Sequence, residues 1–231
     1  MNYSELVASI QTYTENNFPT ITLADGSTVS STTQINRFIQ QAEQRIYNSV
    51  QFPSLRKNMT GTITSGNKYL SAPSDYLATY SMAIYSGSGP YTYLLNKDVN
   101  FIREAYPTPS DTGMPKYYAL FGPTVSSSTI STELSFIIGP TPDAAYSVEL
   151  HFYYYPESIV TASTTWLGDN FDTVLLYGSL VEAYTFQKGE ADLLALYDTK
   201  YKEALALAKR LGDGMERQDA YRSGQYRQAV T

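Results

Sequence analysis

Residues 170–211 hold two consecutive helical patterns, and the first of them decides what kind of fold this chain can adopt. Val174, Leu175, Leu176, Tyr177, Leu180, Val181, Ala183, Tyr184 and Phe186 leave only a thin polar strip, so a helix over 171–188 must be clasped by other elements. Asn170 reads as its N-cap, Asp172 as a favourable charge in its first turn, and Gly189 as the break that ends it. The second pattern, 190–211, is amphipathic. Leu193, Leu196, Tyr197, Tyr201, Ala204, Leu205, Ala208 and Leu211 recur at three- and four-residue spacing, while Lys200, Lys202, Glu203 and Lys209 face outward.

Two upstream helices are available to cover the first pattern. One is predicted over 4–15, opened by Ser4, with Leu6, Val7, Ile10 and Tyr13 on one face. The other is predicted over 32–51, capped by Thr32 or Thr33 and striped with Ile35, Phe38, Ile39, Ala42, Ile46, Tyr47 and Val50. Between them Asp25-Gly26 marks a loop or small hairpin.

From residue 57 to 155 the apolar residues alternate in short runs separated by Gly, Pro, Asn and Asp, which is a strand texture. Strands are predicted at 58–64, 68–70, 80–85, 91–94, 117–121, 134–138 and 147–155. The last is the clearest: Val148, Leu150, Phe152 and Tyr154 point one way and Glu149, His151, Tyr153 and Tyr155 the other, so both faces carry rings. A short helix is predicted over 97–105, stopped by Tyr106-Pro107, and a Ser/Thr loop over 126–132. The expected class is therefore α+β. Residues 1–56 and 157–211 form a helical bundle, residues 57–156 an inserted mainly-β domain, and residues 212–231 a flexible tail without apolar period.

The chemistry implied is that of association. The chain has no cysteine and one histidine, His151, on a predicted strand, so thiolate metal sites and multi-histidine metal sites are excluded and His151 reads as structural. No phosphate-binding glycine loop is present, and Ser86-Gly87-Ser88-Gly89-Pro90 is a turn. Glu182 with Glu190, or Asp169 with Asp172, can be paired on paper as acid and base, but caps and solvated turns explain them more simply. No catalytic residue, cofactor or metal is expected, nor a membrane segment. A net charge of −6 argues against gripping DNA. Twenty-two tyrosines suit strands and wet interfaces alike. In the tail, Arg217, Tyr221, Arg222, Tyr226 and Arg227 are the groups best able to make bidentate and stacking contacts with a partner.

Several stretches taken together resemble the head-to-tail adaptor, or connector, proteins of tailed bacteriophages, especially those of short-tailed phages. They are residues 69–77 (YLSAPSDYL), 101–107 (FIREAYP) with 113–118 (GMPKYY), 139–143 (GPTPD), 153–156 (YYYP), and 165–170 (TWLGDN) leading into the paired helices. The order of the set over most of the chain carries the likeness. The resemblance implies a virion structural protein, present in the host cytoplasm during assembly. It implies a homo-oligomeric ring, commonly a dodecamer, joining the portal protein to the tail nozzle or tail tube, with the helices toward the portal and the β-domain toward the tail. DNA would pass through such a ring without specific binding, since twelve copies at −6 carry about −72. Two other readings stay open: a glycan-binding tail fibre or spike component, although no internal repeat appears, and a cell-wall hydrolase.

Overall fold

The computed structural model describes residues 1–50, 52–108, 110–122, 125–126, 129–130 and 134–216. It is a mixed α+β structure that separates into two compact units, Met1–Leu55 with the residues from Tyr155 onward, and Arg56–Tyr154. The chain opens with α1 (Tyr3–Thr14), whose cap is Asn2 rather than Ser4: the Asn2 side chain accepts from the Glu5 N–H and the Glu5 carboxylate answers to the Asn2 N–H. The Asp25-Gly26 turn joins β1 (Ile21–Thr22) to β2 (Thr28–Val29) in a small antiparallel hairpin. Helix α2 (Ser31–Ser49) starts one residue before the expected 32 because Ser30, not Thr32 or Thr33, caps it. The predicted stripe from Ile35 to Val50 is buried, and with it go two polar residues that an apolar pattern does not flag, Gln34 and Glu43.

The β unit is built from β3 (Arg56–Ile63), β4 (Tyr69–Ser71), β5 (Ala78–Tyr85), β6 (Thr92–Tyr93), β7 (Leu95–Asn96), α3 (Val99–Ala105), β8 (Tyr117–Leu120), β9 (Val125–Ser126), β10 (Thr129–Ile130), β11 (Ser135–Gly139) and β12 (Tyr146–Tyr153). β9 and β10 pair antiparallel where a plain loop was expected. The longer strands form two four-stranded sheets, ordered β4-β11-β8-β7 and β3-β12-β5-β6. Their inner faces share one core that includes Met82, Ile84, Phe136, Ile138, Val148, Leu150 and Phe152. The outer face of the first sheet is closed by α3, through Ile102 packed with Ala119 and Ile137. No described element of the β unit makes a corresponding apolar cluster on the outer face of the second sheet.

The chain then re-enters the helical unit through α4 (Ile159–Ala162), α5 (Trp166–Asn170), α6 (Asp172–Gln187) and α7 (Ala191–Glu216). The short helices α4 and α5 have no counterpart in the sequence reading. Asn170 does not cap α6: it closes α5 by donating from Nδ2 to the Trp166 carbonyl, and the N-cap position of α6 is held by Phe171, which makes no side-chain cap bond. α6 is the core helix its composition predicts. Val174, Leu175, Leu180, Val181 and Ala183 are buried, with α1, α2 and α7 packed around it. Gly178 permits this closeness, since a Cβ there would stand 3.3 Å from both the Ala42 methyl and the Tyr201 ring. At its far end the ring of Tyr197 lies 4.9 Å from Tyr184, 6.1 Å from Tyr177 and 6.5 Å from Tyr13, and burial with the Tyr184 hydrogen bond holds its hydroxyl up at about 12. Glu43 reaches from α2 to accept the Ile159 N–H at 2.9 Å, capping α4, and burial pushes its carboxyl above the ordinary range.

Two expectations for α7 need correction. It continues to Glu216, five residues past the predicted end at Leu211. Leu193, Leu196 and Leu211 do not join the packed face but are exposed, as is Leu207. The packed side consists of Tyr201 and Ala208, with Tyr197, Ala204 and Leu205 partly covered.

Candidate partner interface

The open sheet face follows from strand alternation. In β12, Tyr146, Val148, Leu150 and Phe152 turn inward and Ser147, Glu149, His151 and Tyr153 turn outward. Register then fixes their neighbours: Thr62, Thr60, Asn58 and Arg56 of β3 on one side, Tyr85, Ala83 and Ser81 of β5 on the other. Between His151 and Phe152 the β5 pairing slips by a residue, so that Tyr80 opposes nothing in the ladder. A bulge of this kind re-aims a side chain. Here it leaves Tyr80 53% exposed, with its ring edge-on to His151 at 5.0 Å and 6.0 Å from Tyr153. The Arg56 guanidinium stands 4.6 Å from the Tyr80 ring centre and 6.0 Å from that of Tyr153.

A second group of rings lies along the same face. Tyr93 of β6 sits opposite Ala83 and is, among the described residues, the most exposed of the large apolar side chains, at 67%. The Tyr91 and Tyr85 rings are 4.7 Å apart. Glu149 lies among them, accepting from the Asn58 amide at 2.9 Å, and its negative charge holds the Tyr91 hydroxyl above the ordinary phenol range. His151 is held below its ordinary value by partial burial first and by the Arg56 charge second, so it is neutral at pH 7.

The face therefore offers rigid rings with hydroxyl tips, one stacked guanidinium, one neutral imidazole and one carboxylate. Rings of this kind give large contact area for little side-chain entropy, and their hydroxyls tolerate water in the contact. That is the chemistry of a partly wet protein interface. Among the described residues no cluster of three or more His, Asp or Glu is placed to hold a metal, and no helix is long and apolar enough to cross a membrane. The acid pairs considered from sequence have other engagements: Glu182 forms an ion pair with Arg45, and Asp172 accepts from the Thr173 N–H at 2.7 Å.

Arg217, Tyr221, Arg222, Tyr226 and Arg227, singled out from sequence as contact groups, lie outside the described residues. Arg56 and Tyr80 were not singled out. The available signal was the pair of ring-bearing faces on β12, of which only one can enter a core. A family model described as SU10 adaptor protein matches residues 1–228. No curated protein matches the chain.

Proposed function

The chain belongs to the SU10 adaptor protein family, a family of phage structural proteins, and on that premise we propose that it forms a ring joining the portal to the tail nozzle or tail tube in the virion. The family match over residues 1–228 carries this reading. In it, residues 1–56 and 157–211 act as a helical bundle that meets the portal, and residues 57–156 as the β-domain that meets the tail. The outer face of β3, β12, β5 and β6 is the tail contact. A dodecamer is the expected ring, its negative balance letting DNA pass without specific binding. Arg217, Tyr221, Arg222, Tyr226 and Arg227 are assigned to contacts with the portal or a neighbouring subunit. The protein carries out no catalysis in this role.

Negative-stain imaging of the chain mixed with its portal, and then with the tail component, tests the assignment. The expected result is a ring on the portal that accepts the tail component. The Tyr80→Ala, Tyr153→Ala double variant is expected to dock on the portal as before and to lose the tail component. A chain ending at Glu216, where α7 ends, is expected to fold but to bind the portal poorly. Absence of any portal complex with the full chain would overturn the reading.

A further inference from the structure

The four exposed leucines of α7 are not scattered. At 100° per residue, Leu193, Leu196, Leu207 and Leu211 project within an arc of roughly 60°. They are 36%, 50%, 64% and 48% exposed. The arc lies roughly 80–140° round the axis from buried Tyr201, turned away from α6. Lys200 and Glu203 occupy the middle of the same stripe and pair with each other at 3.3 Å, both well exposed. The stripe thus reads leucine, leucine, lysine, glutamate, leucine, leucine. An apolar row with a charge step at its centre is a surface that no described residue of this chain covers.

Its order identifies the occupant, because the pattern is complementary to itself when reversed. About a two-fold axis between Tyr201 and Lys202, an antiparallel second α7 sets Leu196 of one copy against Leu207 of the other and Lys200 against Glu203. At the ends, Leu193 and Leu211 come side by side, and so do Asp192 and Arg210, all four exposed. A parallel pairing would instead set Lys200 against Lys200 and Glu203 against Glu203, which repel. We infer that the free protein forms an antiparallel two-fold dimer through the α7 leucine stripe. Such a contact is isologous and closes at two copies, so it is distinct from the ring contact proposed above and its failure leaves that reading intact. One helix edge per copy falls below the ~1,200 Å² of a standard interface, so the association is weak.

Analytical ultracentrifugation of the full chain over a concentration series tests this. The wild type is expected to pass from monomer to dimer. Lys200→Glu and Glu203→Lys are each expected to weaken dimerisation at least about tenfold, because each places like charges opposite each other across the axis. An equimolar mixture of those two variants is expected to regain the dimer, since every Glu then meets a Lys of the other copy. No change within one chain imitates that rescue. The Leu196→Ala, Leu207→Ala variant is expected to stay monomeric with an unchanged circular dichroism spectrum. A wild type that stays monomeric throughout, or that assembles past two copies without a dimer, overturns the inference. So does a mixture that associates no better than its components.

Discussion

β11 and β12 are both interior strands of four-stranded sheets, yet every residue of Ser135–Gly139 is buried while burial in Tyr146–Tyr153 alternates strictly. The difference lies in what stands outside each sheet. α3 lays Ile102 over Ile137 and Ala119, so β11 is apolar toward both neighbours. β12 has the shared core on one side only and sends Glu149, His151 and Tyr153 the other way. The helical unit repeats the contrast, with α6 buried along residues 174–176 and 178–181 and at Ala183, although Phe186 near its end is 48% exposed, and α7 carrying leucines on its open side. In both units the fold is held by the closed element, and the open one is left free to meet something else.

The sharpest way to break this comparison is to shorten a residue in each class. Leu175→Ala in α6 and Ile102→Ala in α3 remove side chains that are 0% and 2% exposed, and each is expected to cost about 2–5 kcal/mol in urea unfolding. Leu196→Ala on the open side of α7 is expected to change stability by less than about 0.5 kcal/mol. Equal losses for Leu175 and Leu196 would abolish the distinction between closed and open helices. Next in size is Gly139→Ala. A Cβ there would stand 2.8 Å from Ile102 Cγ2 and 2.9 Å from the Tyr106 ring, so α3 must shift for it to fit. A loss of about 1–3 kcal/mol is expected, and an unchanged melting temperature would mean that α3 sits loosely on β11.

Changes on the open sheet face are expected to be milder for folding than for assembly. Replacing exposed Tyr80 and half-buried Tyr153 by Leu removes ring and guanidinium stacking, an effect of about 1 kcal/mol or less per contact. Thermal unfolding of this variant is expected to stay close to wild type. A collapse of the β unit would show that the face belongs to the core and is not free for a partner.

Much of this contrast was legible in the residues, for identifiable reasons. The apolar surround of α6 and the two-sided rings of β12 are periodic signals over many residues, and periodic signals survive local error. The bulge at Tyr80 was not legible, because a bulge is defined by the register of two strands and leaves no mark on one. Asn170 was misassigned because a residue that ends one short helix occupies the same place in sequence as one that begins the next. The leucines of α7 were misassigned because the eight apolar residues of its pattern span roughly half the helix circumference, too wide for one packed face. That width was itself the sign of a second surface. The end of α7 falls later than the sequence predicts because the apolar period stops at Leu211, whereas the helix runs on through Gly212 and Gly214 to Glu216.

The smallest expected effect separates one titratable group of the open face from one of the closed interior by the sign of its pH dependence. His151 is held below its ordinary 6.5 by partial burial and by Arg56, so the folded chain binds fewer protons there than the unfolded chain. Its contribution to stability is full above pH 6.5 and is lost as pH falls through its folded value. Glu43 is held above its ordinary 4.5 by burial, so the folded chain keeps a proton that the unfolded chain gives up. Its contribution is full below pH 4.5 and is lost as pH rises through its folded value. His151 is the only histidine in the chain, which makes the assignment clean. In thermal unfolding between pH 4 and 8, His151→Gln is expected to remove a rise of stability with pH near neutrality. Glu43→Gln keeps an acceptor for the Ile159 N–H and is expected to remove a fall of stability with pH on the acid side, whereas Glu43→Ala leaves that N–H without its partner and costs about 1–3 kcal/mol across the range. If both Gln variants changed the profile in the same direction, the open face and the closed interior would not differ in the way their burial implies.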